Sequence, residues 1–153
     1  MEGVIVREIE PVNLKDTRGG TYEWAKGIEA RQLTICKAVY ARAVYGNHFH
    51  LGEDPSKDPE RVLVISGRLK LVTCNGRETI EQIVGRFEEI LINPLIAHAY
   101  ISQEETVFLE HRPTVYNPKN NDTYSFDKYV KALAGRKLEV NEEAVERFLQ
   151  HLK

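Results

Sequence analysis

Through roughly the first 112 residues apolar side chains recur at every second position in short runs, and Gly, Asn, Asp or Pro close most of these runs. That period belongs to half-buried strands, whose alternate side chains face opposite sides of a sheet. The pattern predicts a short edge strand over residues 4–7, a turn at Asp16-Thr17-Arg18-Gly19-Gly20 leading into Thr21 to Trp24, and a long proline-free run from Arg31 to Tyr45. Further strands are expected over residues 61–65, 69–74, 78–84, 89–92, 97–102 and 106–112. Asn75-Gly76 is the strongest hairpin signal, because both residues tolerate positive φ. Strands this closely spaced make an all-β sandwich or barrel.

The period changes after residue 115. A polar loop from Tyr116 to Tyr124 precedes a helix over residues 125–134, with Phe126, Tyr129, Val130 and Leu133 at helical spacing and Ser125 placed to cap it. A second helix runs from Asn141, its N-cap, with Glu142 and Glu143 at the positive end of the dipole and Val145, Phe148, Leu149 and Leu152 as its apolar stripe. The organisation expected is a β-barrel domain over residues 1–115 and a C-terminal loop and helical extension over 116–153. The helices are expected to pack on the outside of the barrel or on a partner subunit.

The chain has 153 residues, 21 basic and 23 acidic, with no long block of one sign, so nucleic acid is not expected as a partner. No signal peptide or membrane span is read, and the expected location is the cytoplasm. Cys36 and Cys74 lie far apart and read as small buried apolar residues, bridged only if their strands were neighbours.

The chemistry concentrates in the histidines. His48 and His50 sit one residue apart in Gly46-Asn47-His48-Phe49-His50, and on a strand their imidazoles share one face. If the alternation runs unbroken through Gly46, that face also carries Tyr40, Arg42 and Val44; a bulge at Gly46 would break the link. Glu60 opens the next strand and His98 follows Asn93-Pro94. His48, His50, Glu60 and His98 then form a three-nitrogen, one-oxygen donor set suited to Zn, Mn, Fe or Ni. His111 and His151 read as structural. The acidic stretch from Glu53 to Glu60 reads as a solvated loop and a candidate lid.

The series Gly46-x-His48-x-His50, Glu60, Gly67, Gly85 and Pro94-x-x-x-His98 resembles the paired motifs of the cupin superfamily, RmlC-like in its details, over about residues 16–112. The resemblance implies a double-stranded β-helix, the jelly-roll barrel. The interval from His50 to Glu60 is longer than usual, which makes Glu53 a second candidate for the carboxylate ligand. More narrowly, Asp16 to Glu23 and Gly46 to His50 resemble segments of nucleotide-sugar 3,5-epimerases, 3,4-ketoisomerases and the cupin domain of capsular-polysaccharide reductases, with Tyr45 where an arginine is usual. That resemblance implies a base at His48 aided by His50, a proton returned by Tyr40 or Tyr100, and substrate contacts from Arg18, Arg42, Lys37 and Glu23. It also implies a nucleotide-sugar substrate, a homodimer, and no metal if the epimerase chemistry holds. A metal-dependent cupin enzyme of another class and a non-catalytic sugar- or small-ligand-binding cupin are the alternatives.

Overall fold

The computed structural model describes residues 1–13, 19–119 and 121–153. Among these residues ten strands make two five-stranded antiparallel sheets. In the first, β1 (Val4–Glu8), β7 (Glu88–Ile92), β4 (Glu60–Ser66), β9 (Thr106–Arg112) and β2 (Gln32–Ala38) lie in that order. In the second the order is β10 (Tyr124–Ser125), β3 (Val44–Phe49), β8 (Ala97–Ser102), β5 (Leu69–Cys74) and β6 (Thr79–Val84). Two packed antiparallel sheets whose chain crosses from one to the other are the cupin jelly roll. Two helices follow, α1 (Tyr129–Gly135) and α2 (Glu142–His151).

The barrel interior is filled by Val62, Val64, Leu69, Leu71, Ile90, Ile92, Tyr100 and Phe108 among others, the inward halves of the predicted alternations. The central strands β5 and β8 of the second sheet are buried on both sides. Val72, Cys74, Ala97, Ala99 and Ile101 face outward and are covered by Phe126, Tyr129, Leu133 and Phe148. The helices therefore pack on the barrel itself. Tyr129 fixes them there by donating its hydroxyl to the carbonyls of Cys74 (2.7 Å) and Leu95 (2.8 Å), so its buried polar tip is paired.

The structure departs from the predicted elements at several points. The run from Arg31 to Tyr45 is two strands in different sheets, joined by a turn in which Arg42 adopts a φ of 68° and donates its N–H to the Ser102 carbonyl. Strand propensity is continuous there, but the chain must leave one sheet to enter the other. At the hairpin only Gly76 takes positive φ; Asn75 instead accepts the N–H groups of Arg77 and Glu78 with its side chain, giving a four-residue loop between Cys74 and Thr79. Residues 126–128 form a 3-10 turn before α1, and the Ser125 hydroxyl bonds Asp127 rather than capping. Asn141 caps α2 as expected, accepting from Glu143 N–H at 3.0 Å. Thr21 to Trp24 form no strand beyond the bridge from Tyr22 to Pro11; Trp24 instead donates its indole N–H to Glu89, a buried carboxylate also held by Arg7 and Arg61. Cys36 and Cys74 lie in opposite sheets as free thiols. No helix among the described residues is long and apolar enough to cross a membrane.

Removing the α2 anchor should open a cavity between helix and sheet. Phe148→Ala is expected to cost about 3–5 kcal/mol in urea unfolding, whereas a helix merely resting on the barrel would show less than about 1 kcal/mol.

Candidate active site

The second sheet carries the histidines. His48 on β3 is paired directly opposite His98 on β8, and the register slips between Gly46 and His48. Gly46 makes the slip tolerable: its φ is +83°, and a Cβ there would sit 2.9 Å from the His98 carbonyl oxygen. The extra residue puts both Tyr45 and His48 on the interior side, three positions apart, and leaves Val44 facing outward. The shared face expected for Tyr40, Arg42 and His48 is therefore broken. Tyr40 is 64% exposed in the β2–β3 turn, and Arg42 bonds the Ser102 end of β8, four residues and so about 13 Å along the strand from His98.

His48, His50, Glu60 and His98 converge, each offering one donor atom, all within 4.8 Å of one another. The rings of His48 lie 4.7 Å from those of both His50 and His98. His50 and His98 are oriented from behind. His50 Nδ1 donates to the Asp122 carbonyl at 2.5 Å, and His98 Nδ1 donates to the Ile96 carbonyl at 3.0 Å. With Nδ1 spent on a carbonyl, each ring turns Nε2 toward the centre, as a lone pair when the ring is neutral and as a donor when it is protonated. There Glu60 Oε2 lies 3.3 Å from His50 Nε2 and 2.7 Å from His98 Nε2. The His98 contact is off the line a hydrogen bond needs, and Nε2 of both His48 and His98 is buried without a hydrogen-bond partner. Acceptors this close need a shared proton or a cation between them.

The electrostatics agree with a site built to hold positive charge. Burial works against the Glu60 carboxylate, but His98 and then Lys57 outweigh it and hold its pKa well below the ordinary range. Burial, reinforced by His98, lowers His48 to about 2 and keeps it neutral. Lys57, 5% exposed, donates to Glu60 Oε1 at 2.6 Å and to Glu110 at 2.5 Å. Burial opposes the Lys57 charge, yet the two carboxylates outweigh it and raise its pKa. Tyr100 lies behind Glu60, its hydroxyl 3.4 Å from Oε2, and burial followed by Glu60 pushes its pKa far up.

A cavity of about 310 Å³ opens onto His48 and Lys57. Its walls are Gln32 and Thr34 from β2, Glu110 and Arg112 from β9, and Tyr116, Asn121 and Thr123 from the C-terminal loop. A larger groove of about 530 Å³ between β6 and α2 is remote from all four donors. The loop after His50 is tied to Asp122 and to β9. The Asp122 carboxylate accepts from the N–H groups of Leu51, Glu53 and Asp54, and Arg112 grips Asp54 at 2.6 Å. Glu60, not Glu53, joins the histidines; the Glu53 side chain meets Tyr124 at the surface. Glu23 pairs with Lys26, and Lys37 with Glu105, both on the exterior. Arg18, with most of the Asp16–Gly20 turn, lies outside the described residues. His111 is buried at the edge of Trp24, and His151 lies 3.2 Å from Glu81.

Lys57, Glu110, Arg112 and Asp122 were not anticipated. The alternation of β9 and a lone lysine after Asp54-Pro55 were the available signals, but neither points inward without the barrel around it.

No protein-family model and no curated protein matches the sequence. Solved structures do match, and they share this chain's fold, a jelly-roll barrel of the cupin type. The sugar 3,4-ketoisomerase QdtA from Thermoanaerobacterium thermosaccharolyticum, solved in complex with TDP, aligns with a TM-score of 0.71 at 16% identity, over 90% of this chain and 99% of that one. WlaRA, a TDP-fucose-3,4-ketoisomerase from Campylobacter jejuni, gives 0.64 at 13% identity over 86% and 96%. The dTDP-4-dehydrorhamnose 3,5-epimerase from Sulfolobus tokodaii gives 0.63 at 17% over 78% and 76%. At these identities the likeness is one of fold.

The lowered pKa values of His48 and Glu60 make stability pH-dependent in one direction. Both groups bind protons more readily when unfolded, so their contribution is complete above the ordinary histidine range and is lost as pH falls. Metal-free protein should lose unfolding free energy steadily below about pH 6.5, and His48→Asn should flatten that slope by up to about 1.4 kcal/mol per pH unit. Parallel urea titrations at several pH values measure it; equal slopes for both proteins would show that His48 is not held neutral.

Proposed function

We propose that this chain is an isomerase or epimerase acting on a keto sugar nucleotide, with proton transfer at the carbon beside the carbonyl as its reaction. The observation that supports it most is the placement of His48. Of the three converging imidazoles it alone borders the cavity, and its buried Nε2 has no protein partner. The surrounding wall of hydroxyls, amides, one carboxylate and a tyrosine matches the hydroxyls of a sugar. The fold is that of TDP-sugar ketoisomerases and epimerases, which supplies the substrate class.

In this reading His48 takes the proton from the C–H, and the bonding pair moves toward the carbonyl oxygen to give an enediolate. Return of the proton to the neighbouring carbon, as the hydroxyl proton of the first carbon passes to the oxygen of the second, gives isomerisation; return to the opposite face of the same carbon gives epimerisation. Tyr116 lines the cavity, whereas Tyr40 and Tyr100 do not, so Tyr116 takes over the acid role expected of them. Arg112 is already committed to Asp54 and Glu110, so the cavity serves the sugar and the diphosphate lies beyond its mouth.

A weak base needs help with this step, and the donor set fits a group that gives it. With His48 as the base, His50, Glu60 and His98 would hold a divalent transition metal, which when bound supplies Lewis-acid stabilisation of the enediolate; with His48 as a fourth ligand its lone pair is spent and it is no longer the base. The mutually facing acceptors of Glu60 and His98 also favour a second reading, a metal-dependent cupin enzyme of another class. Metal analysis of protein purified without chelator, paired with a thermal-shift and turnover screen of thymidine- and uridine-diphosphate sugars, separates the two. His48→Asn is expected to lower turnover of the 4-keto sugar nucleotide at least about 100-fold. Unchanged turnover in both His48→Asn and His50→Asn would remove the isomerase reading, and an empty site after supplementation with Zn, Mn, Fe and Ni would remove the metal.

The chain is further proposed to work as a homodimer in the cytoplasm. Edge strand β2 exposes Leu33 (56%) and Ile35 (70%) on its outer face. Light scattering should give a dimer for the parent chain and a monomer for Ile35→Glu; a monomeric parent chain would contradict the proposal.

A further inference from the structure

Lys57 is placed inside the barrel mouth by its own short turn. Asp54 caps the 3-10 turn Pro55–Lys57, accepting from Ser56 N–H at 2.8 Å, and Arg112 with Thr114 immobilises the capping carboxylate. The turn is thus tied to β9 and directs the lysine inward. An ammonium this deeply buried requires counter-charges, and two are supplied, Glu60 Oε1 and Glu110 Oε1. The consequence for Glu60 is a division of labour between its oxygens. Oε1 belongs to Lys57, while Oε2 alone faces His50, His98 and Tyr100. Glu110, whose Oε1 also accepts from Arg112 at 3.1 Å, is kept on the cavity side.

We propose that Lys57 is a positioning residue that partitions the two buried carboxylates, offering Glu60 to the imidazole centre through one oxygen only and withholding Glu110 for a hydroxyl of the substrate. The inference rests on the reading that the four-donor centre holds a divalent metal. A dication at that centre attracts every carboxylate within reach, and the pull grows in a desolvated barrel. With no ammonium between them, the second oxygen of Glu60 and the Glu110 side chain would be drawn toward the ion. Lys57 holds both back by direct hydrogen bonds, and Glu110 keeps its Oε2 for a ligand in the cavity.

Cobalt(II) is the probe, because its d–d bands weaken as its coordination number rises. Lys57→Gln is expected to bind cobalt about tenfold more tightly than the parent chain, because a buried like charge is removed from beside the ion, with weaker d–d bands, and Lys57→Arg to keep the parent spectrum. Adding Glu110→Gln to Lys57→Gln should reverse part of both changes. In the parent background Glu110→Gln alone should leave affinity and bands unchanged while raising KM for the sugar nucleotide, a test that holds even if Lys57→Gln does not fold. Unchanged or weaker cobalt binding by folded Lys57→Gln with parent-like bands would overturn the assignment of Lys57, as would altered bands in Glu110→Gln alone. Failure of the parent chain to bind cobalt would overturn both this inference and the metal reading.

Discussion

A carboxylate sealed inside a β-barrel is the constraint around which this molecule is arranged. Glu60 is 4% exposed and must remain ionised, since the groups around it hold its pKa far below the ordinary range. Removing such a charge from water costs several kcal/mol unless it is matched by nearby donors and cations. The match comes from four directions: Lys57 from the turn before β4, His50 and His98 from the opposite sheet, and Tyr100 from below. Each of these is in turn fixed by something further out, so the need to compensate one charge propagates through both sheets and into the C-terminal loop.

The bulge at Gly46 is what lets the second sheet meet that need. Without the register slip, either Tyr45 or His48 would face inward, but not both. With it, Tyr45 packs its ring at 5.2 Å against Phe108 in the core while His48 stands opposite His98 at the cavity floor. One strand thereby serves the hydrophobic core and the polar centre at once.

Much of this was legible in the sequence, and the boundary of what was not has physical causes. The strands from β4 to β9 and the capped helix α2 follow from local periodicity, because each pattern is completed by packing against immediate sheet neighbours. His48, His50, Glu60 and His98 followed from the two-part histidine pattern, and the structure brings those four together. Tyr40 and Arg42 were misplaced because alternation along Arg31 to Tyr45 contains no sign of a crossing between sheets. Lys57 and Arg112 were passed over because a charged residue is ordinarily solvated, and only their partners Glu60, Glu110 and Asp54 make burial tolerable. Asp122 was beyond reach because its contacts with residues 50–54 are fixed by tertiary pairing alone.

That last contact bears on how the protein comes into being. The carbonyl that orients His50 and the carboxylate that ties down residues 51–54 both belong to Asp122, which follows the final strand of the first sheet. On a ribosome the strands β1 to β9 would therefore emerge before the residue that anchors the second imidazole. The four-donor centre is completed only when the C-terminal loop joins the strands, and an ion meeting the chain before that moment meets His50 without a fixed direction.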